Sequence, residues 1–339
     1  IKRILIDERS SGDDMTSRVT GLLPGAERVT IPPVEPPYTD IAVGPGALLL
    51  TRHPGSFVKD FPVTPGAPPC GEKYIVTLLN CPFSCSYCYL QSYLEHGHII
   101  VFTNTGRMKD EIASAIAGER PSRMTTGEFG DSLALDHITG LTLDLLPLFA
   151  GTGTVLEART KSDAIGHLIE AAAGDKAIGK DLVLTWTLAP DKAIRSEEGG
   201  TAPLGRRIAA IGGAAGAGIR TAVRFDPVVP YWYDRESYEG ILRSLRGSGA
   251  RPERFELGVL RFPPGLWEEV RRKRPASPLF RGEYFTDSEG KKRFYRPGRI
   301  RIYREISSAV KEYFPDAAIE LSMEDLEVWE DAGLEPPRI

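Results

Sequence analysis

The pattern of apolar and polar positions divides most of the chain into short β-type runs that alternate with helical patterns. Between the runs lie helix candidates at residues 131–149, 163–172, 204–217 and 238–245. The apolar runs from residue 74 onward are YIVTLL, HIIVFT, SRMTTG, TVLEART, LVLTWTL, RTAVRFDPVV and RFELGVLRF. This alternation indicates βα units around a parallel sheet. With six or seven repeats, it favours a closed or partial α/β barrel over an open doubly wound sheet, with the active face at the strand C-terminal ends.

The two ends of the chain depart from this alternation. Residues 1–72 contain one strand candidate, RILID, followed by loops rich in proline and glycine, so they predict an N-terminal lobe and linker. The barrel is expected over residues 73–270. Residues 271–339 predict a basic hairpin in GEYFTDSEGKKRFYRP and then a closing helix over residues 299–314.

Composition indicates a globular protein, since 41% of the 339 residues are hydrophobic and suffice for a sizeable core. We expect a soluble, cytoplasmic protein, because no apolar run reaches about 18 residues and no basic-then-apolar leader is visible. Four cysteines, three of them crowded together, do not make a disulfide framework and fit a reducing compartment.

Charge restricts the binding of nucleic acid to a local surface, because the formal net charge of the chain is -4. Residues 271–304 hold twelve Lys or Arg against three acids, a local balance of +9. Such a segment can bind phosphate groups, and the alternative is an ordinary solvated surface.

Three of the cysteines define the strongest candidate site. Cys81, Cys85 and Cys88 have the spacing C-x3-C-x2-C and follow the first predicted barrel strand, which places them at the active end of the sheet. Three thiolates on one loop can bind three irons of a [4Fe-4S] cluster and leave the fourth iron open to another ligand. The alternative is zinc bound by the three cysteines and His96 or His98, in a nucleic-acid-binding module without catalysis.

The stretch CPFSCSYCYLQSYL, with Tyr87 before the last cysteine, resembles the signature of radical S-adenosylmethionine (SAM) enzymes. The resemblance implies that the open iron binds SAM. It also implies that an external electron donor such as flavodoxin or ferredoxin supplies electrons to the cluster. Reductive cleavage of SAM then gives a 5′-deoxyadenosyl radical that abstracts hydrogen, so the cofactor carries the hard chemistry.

Within that superfamily the chain is similar to the spore photoproduct lyase family from residue 74 to the C-terminus. The similarity implies a partial (β/α)6 barrel of TIM type and lyase-like carbon–carbon bond chemistry in DNA repair, on a DNA lesion or a nucleotide-type substrate. A small nucleoside or other metabolite is the alternative substrate. The stretches that carry the similarity are DSLALDHITG, TKSD, GTAPLGRRI, FDPVVP, GVLRFPP and YFPDAAIEL.

The resemblance assigns roles to single residues. Tyr87 and Tyr89 match two tyrosines that relay the radical in the lyases. An ungapped alignment of GDSLALDH places Glu128 where the lyases have their hydrogen-donor cysteine. A carboxylic acid cannot replace a thiol in that role, because its O–H bond is much stronger. In the stretch TTGEFGD, Glu128 instead resembles an acid that binds the SAM ammonium group in this superfamily. The alternative is that Glu128 is an acid at a helix N-terminus, with Asp131 as the helix cap.

Further candidates lie in the C-terminal hairpin, in the linker and at the ends of the barrel strands. In the lyases a hairpin at the position of GEYFTDSEGKKRFYRP inserts at the lesion. The cations of this hairpin are therefore expected to bind phosphate, and its aromatic residues to act as wedges. Cys70, in the linker, could approach the site. Further cofactor contacts are predicted at Asp131, Lys161, Thr185 and Thr187, and substrate contacts at Arg224, Asp226, Arg261, Lys291, Lys292, Arg293, Arg296, Phe285, Phe294 and Tyr295.

Overall fold

The computed structural model describes residues 1–41, 46–62, 64–68 and 71–337, so the prediction for Cys70 lies outside the described residues. Helices and strands are numbered here in chain order. The first part of the chain contains β1 (Arg3–Asp7), α1 (Asp14–Leu22), β2 (Glu27–Ile31), β3 (Ala47–Thr51), β4 (Val58–Asp60), β5 (Glu72–Ile75), β6 (Leu78–Leu79), β7 (Ser84–Cys85), α2 (Leu90–Tyr93), β8 (Ile99–Phe102), α3 (Thr105–Gly118) and β9 (Arg123–Thr126).

The middle of the chain alternates strands with helices. It contains α4 (Asp136–Thr139), α5 (Leu141–Leu145), β10 (Val155–Thr160), α6 (Gly166–Gly174), α7 (Ile178–Asp181), β11 (Leu182–Thr187), α8 (Asp191–Glu197), β12 (Glu198–Gly199), α9 (Leu204–Gly216), β13 (Arg220–Val228), α10 (Arg235–Gly247) and β14 (Arg254–Val259). The last part contains β15 (Arg261–Phe262), α11 (Leu266–Lys273), β16 (Tyr284–Thr286), β17 (Lys292–Phe294), α12 (Arg296–Tyr313), β18 (Ala318–Leu321) and α13 (Leu326–Ala332).

The main sheet is a curled half-barrel of eight strands in the order β18-β14-β13-β11-β10-β9-β5-β4. Within this sheet every neighbouring pair from β18 to β5, in the order just given, is parallel. The edge strand β4 is antiparallel to β5. Parallel strands joined by helices open their carboxyl ends on one rim. The predicted α/β partial barrel is therefore confirmed.

Helix α10 shows how the sequence forms the outer layer. Its apolar residues Tyr238, Ile241, Leu242 and Leu245 recur at helical spacing, and all four are buried against the core. Asp234 caps the helix by accepting a hydrogen bond from Ser237 N at 3.1 Å. Burial of this face stabilises the helix against the barrel, as the apolar periodicity predicts.

A second sheet of five strands, in the order β2-β1-β3-β8-β6, forms the N-terminal lobe. The run HIIVFT was expected in the barrel, but β8 pairs in parallel with β3, so that prediction is wrong. The run YIVTLL is split, since β5 joins the barrel and β6 pairs with β8. An apolar run fits either sheet equally well, because its pattern does not identify its neighbours.

The sheets cross the predicted domain boundaries. From residues 1–72, β4 joins the barrel, and from residues 271–339, β18 forms the other barrel edge. The division into 1–72, 73–270 and 271–339 thus does not coincide with the sheets, and as a division into folding units it stays a prediction. The helix expected over residues 131–149 is also interrupted, because Gly140 takes a left-handed φ of 65° between α4 and α5.

The C-terminal hairpin is present, with β16 paired to β17 in the register Tyr284 to Phe294, and β15 adds a third strand. In the described ranges, no helix is both long enough and apolar enough to cross a lipid bilayer.

Candidate active site

The loop that carries the three cysteines is fixed by backbone contacts on two sides. Cys85 lies opposite Glu198 in the short antiparallel ladder of β7 and β12. On the other side Gln91 Nε2 donates hydrogen bonds to the carbonyl oxygens of Cys85 and Cys88, each at 3.2 Å, and of Ser86 at 3.1 Å. These contacts hold the loop directly after β5 and β6, where the sequence predicted it.

The three thiols are half-buried and form no disulfide. Burial raises the pKa of all three, that of Cys85 to about 12, so metal binding must displace the thiol protons. Within the described ranges, no three Cys, His, Asp or Glu side chains converge on a position for one metal ion. A [4Fe-4S] cluster would bind each cysteine through a different iron, so the three thiols would not need to meet at one metal ion.

The histidines of the zinc alternative pack against each other. The rings of His96 and His98 stack on each other with centroids 5.4 Å apart. Their backbone carbonyls accept hydrogen bonds from Asn80 Nδ2 at 3.1 and 2.9 Å. The histidines therefore shape the loop beside the cysteines.

Each tyrosine of the cysteine loop donates its hydroxyl to a glutamate. Tyr87 donates to Glu198, and the other Glu198 oxygen accepts a hydrogen bond of 2.5 Å from the fully buried Arg207. Tyr89 donates to both the backbone oxygen and, at 3.0 Å, the side-chain Oε1 of Glu128. Burial, followed by the neighbouring carboxylate, raises the pKa of both phenols well above the ordinary range. Both phenols are therefore fixed in the neutral, donating form.

The turn after β9 directs Glu128 toward the cysteine loop. Gly127 has a φ of +92°, and a Cβ atom there would lie 2.6 Å from Ser132 Oγ, so the turn requires glycine. Glu128 keeps 27% of its side chain exposed, and its Oε2 lies 4.0 Å from Arg159 Nη1. Its carboxylate is thus accessible at the rim as well as bonded to Tyr89.

Asp131 does not have a free carboxylate for a cofactor. Oδ1 accepts hydrogen bonds from Leu133 N at 3.1 Å, Ala134 N at 2.9 Å and Thr160 Oγ1 at 2.6 Å, and Oδ2 from Lys161 N at 2.7 Å. Burial nevertheless raises its pKa. Asp131 therefore caps the segment after β9 and joins it to β10, as in the structural alternative, and the predicted cofactor contact is not supported.

The other predicted cofactor residues separate into two places. Lys161 reaches the cysteine loop, with Nζ 5.6 Å from the Tyr87 ring centroid. Burial opposes its charge, but Cys85 and Glu198 outweigh burial and raise its pKa. Thr185 is fully buried and donates to Glu157 Oε1 at 2.5 Å, so it does not reach the rim, and Thr187 is buried with its carbonyl bound by Arg207. The cofactor contacts predicted for these two threonines are not supported.

The barrel interior contains an ion network that the sequence analysis missed. Glu157 is fully buried and lies 2.5 Å from Arg254, 3.2 Å from Arg159 and 3.5 Å from Arg123. Burial opposes its ionisation, but the arginines outweigh this effect and hold the pKa of Glu157 well below its usual range. The available signal was a charge in the middle of each otherwise apolar strand, as in VLEART.

Three predicted substrate residues meet, although Arg224 and Asp226 lie on β13 of the barrel and Arg261 lies on β15 of the hairpin sheet. Asp226 Oδ2 lies 2.6 Å from Arg224, and its Oδ1 lies 3.3 Å from Arg261. Arg224 also lies 2.9 Å from Glu256. Although burial opposes ionisation, Arg261 and Arg224 hold the pKa of Asp226 far below its ordinary range. The three side chains thus form one polar group at the strand ends.

The hairpin cations are largely neutralised by carboxylates. Arg293 is buried, 2.9 Å from Glu324 and 3.4 Å from Asp287, so these ion pairs do not support its predicted role as a phosphate-binding cation. Lys291 pairs with Glu289 at 2.7 Å. Arg296 pairs with Glu327 and Asp331. Lys292 lies over the Trp267 ring. Of the predicted aromatic wedges, Phe285 and Tyr295 are exposed and Phe294 is half-buried.

A partial parallel barrel with three cysteines on the loop after its first strand is the architecture of radical SAM enzymes. The spore photoproduct lyase family model matches residues 66–322, and the chain belongs to this family. It is therefore an enzyme of the radical SAM lyase class.

Known proteins agree with this assignment. The chain is 25% identical to the spore photoproduct lyase of Bacillus subtilis (strain 168) over 274 residues, which cover 74% of this chain and 76% of the relative. A solved spore photoproduct lyase complexed with dinucleoside spore photoproduct has a TM-score of 0.80 at 17% identity, covering 95% of this chain and 98% of that one. A lyase variant with bound SAM and the same dinucleoside has a TM-score of 0.77 at 16% identity, covering 96% and 98%.

Proposed function

We propose that this protein is a radical SAM enzyme that abstracts hydrogen from a DNA lesion or a nucleotide-type substrate, and that it lacks the thiol-based hydrogen return of the lyases. The observation that carries the proposal is the cysteine loop, held so that Tyr89 meets Glu128 at the rim of the barrel. Membership of the spore photoproduct lyase family supports the reaction class. The dinucleoside bound by a solved lyase supports the substrate class.

The cofactor site is built from residues of the rim. Cys81, Cys85 and Cys88 would hold a [4Fe-4S] cluster, and Glu128 and Lys161 offer opposite charges suited to the ammonium and carboxylate groups of SAM. When bound, the cluster and SAM supply the radical that abstracts hydrogen from the substrate. The protein holds the thiols in place through backbone contacts and keeps the two phenols neutral.

The proposed difference from the lyases lies at Glu128. In the ungapped alignment this residue stands where the lyases have a thiol, and a carboxylic acid does not return a hydrogen atom. Tyr89 donates its hydroxyl to this carboxylate at 3.0 Å. The group with a donatable hydrogen at this place is therefore a phenol and not a thiol. A lesion radical would therefore be quenched by a different donor, and the product pattern is expected to differ from that of a lyase.

The test is a single anaerobic turnover with dithionite and SAM. Three substrates are compared: irradiated DNA, dinucleoside spore photoproduct and a mixture of mononucleosides. We expect 5′-deoxyadenosine, measured by mass spectrometry, to rise with a lesion-containing substrate, with Cys88→Ala as the inactive control. Reconstituted protein that makes no 5′-deoxyadenosine with any substrate or with SAM alone would refute the proposal.

A small nucleoside or metabolite is the second candidate substrate, and the neutralised hairpin favours it. Because Arg293, Lys291 and Arg296 pair with carboxylates, the hairpin has fewer free cations for phosphate than its composition indicates. Fluorescence anisotropy with labelled DNA at several salt concentrations separates the candidates. If the protein binds duplex DNA, the logarithm of its binding constant should fall with the logarithm of the salt concentration with a slope of about -0.9 per neutralised phosphate. An enzyme for a small molecule should show no salt-dependent binding to DNA.

A further inference from the structure

Helix α11 ends in a basic run beside the cysteine loop, outside the site described above. This run is Arg271, Arg272, Lys273 and Arg274, named here the α11 basic patch. Arg272 and Lys273 share the carboxylate of Glu269, at 2.7 and 2.9 Å, and their side chains remain 69% and 40% exposed. Among the described residues no carboxylate lies within 4 Å of the other two guanidinium groups, so the patch keeps an excess of positive charge.

The patch touches the cysteine loop directly. Arg274 Nη2 donates to the backbone oxygen of Ser84 at 3.4 Å. Lys273 Nζ lies 3.3 Å from Gln91 Oε1, and the amide nitrogen of the same glutamine bonds the carbonyl oxygens of Cys85 and Cys88 at 3.2 Å. A partner bound at Lys273 is thus connected to the backbone of two of the cysteines through the lysine side chain and one glutamine side chain.

We infer that the α11 basic patch docks an acidic one-electron carrier protein, which delivers its electron to the group held by the cysteine loop. This inference rests on the proposed function, because the bound cluster accepts the electron. The carrier would lose one electron and a cluster bound by the cysteines would gain it, with no bond formed or broken. Complementary charge steers such a partner to the surface and orients it there.

The position of the patch favours a carrier over nucleic acid. Electron transfer weakens steeply with distance, so a docking surface for a carrier must lie beside the cysteines. A phosphate contact has no such requirement. The hydrogen-bonded connection from Lys273 through Gln91 to Cys88 meets the requirement.

The test reverses the charge of Arg271 and Arg272, which make no hydrogen bond to the cysteine loop among the described residues. The matched control is Arg246→Glu with Arg251→Glu, since both arginines are exposed and the change in net charge is the same. The probe is purified flavodoxin, an acidic flavoprotein, with NADPH and its reductase. We measure flavodoxin binding by titration at low and high salt, and 5′-deoxyadenosine formation with flavodoxin or with dithionite as reductant.

We expect the Arg271→Glu/Arg272→Glu variant to bind flavodoxin about tenfold more weakly at low salt and to lose a similar factor in flavodoxin-driven turnover. The dithionite-driven rate should stay at the wild-type value, because the small reductant needs no docking surface. The control variant should match wild type in both assays. Arg272→Glu alone, which changes a mostly exposed side chain, should show a smaller loss of the same kind.

Three outcomes overturn the inference. One is equal flavodoxin-driven rates in the patch and control variants. Another is a patch variant that loses DNA binding but keeps flavodoxin-driven turnover, which would assign the patch to phosphate. The third is wild-type protein that binds neither flavodoxin nor a ferredoxin. Absence of dithionite-driven cleavage in wild type would instead refute the proposed function, so the two failures are distinguishable.

Discussion

Replacement of Arg207 by methionine tests whether the buried Arg207–Glu198 pair supports the cysteine loop. Arg207 is fully buried and donates to Glu198 at 2.5 Å, to Thr187 O at 2.8 Å and to Ala202 O at 2.7 Å. Glu198 accepts the Tyr87 hydroxyl and lies opposite Cys85. The substitution removes the cation and leaves a buried carboxylate beside the loop.

The cost follows from that orphaned charge. Removing one partner of a buried ion pair destabilises a protein by about 3–5 kcal/mol, because the remaining charge is uncompensated. For a chain of 339 residues this corresponds to a fall in Tm of about 4–7 °C. Since Glu198 also binds Tyr87, we expect faster loss of iron from the reconstituted variant than from wild type.

Urea unfolding of the apoprotein and the rate of iron release to a chelator measure these two effects. Glu253→Gln is the matched control, because the Arg220–Glu253 pair is more than one third exposed and such pairs contribute at most about 1 kcal/mol. Adding Glu198→Gln to Arg207→Met should recover part of the stability by removing the orphaned charge. An Arg207→Met protein within about 1 kcal/mol of wild type that retains its iron would show that the pair does not support the loop.

Four further predictions test other parts of the site. Cys88→Ala should abolish both the visible absorption of the reconstituted cluster and SAM cleavage, and full iron content would contradict the assignment. Glu128→Gln should weaken SAM binding by calorimetry about ten- to a hundredfold, as expected for a charge-assisted bond of about 1.5–3 kcal/mol, with an unchanged unfolding midpoint. Arg293→Gln should lower the free energy of unfolding by about 1.5–3 kcal/mol through loss of its charge-assisted hydrogen bond to Glu324, without changing the salt slope of DNA binding. The ionised Glu157 contributes stability that is present above its ordinary pKa of 4.5 and is lost as the pH falls through its lower pKa in the folded protein. The stability of the Glu157→Gln variant, measured by acid unfolding, should therefore fall less steeply with decreasing pH than that of wild type.

Several features of the protein follow from the sequence by itself, because their causes are local. The spacing of Cys81, Cys85 and Cys88 places three thiols on one short loop whatever the rest of the chain does. The apolar period of α10 and the alternation of strand and helix determine the barrel class, since each depends on neighbours within a few positions. The resemblance of the cysteine motif then indicated the enzyme family, which the family model confirms.

Tertiary structure alone decided which distant groups meet. Strand β8 carries an apolar run that suits the barrel, yet it pairs with β3 in the other sheet. Arg293 counts as a hairpin cation by composition, but Glu324, 31 positions away, neutralises it. Tyr87 finds its partner Glu198 at a separation of 111 positions. Strand pairing and ion pairing depend on chain segments brought together by the whole core, so a local pattern identifies the groups able to pair but not their partners.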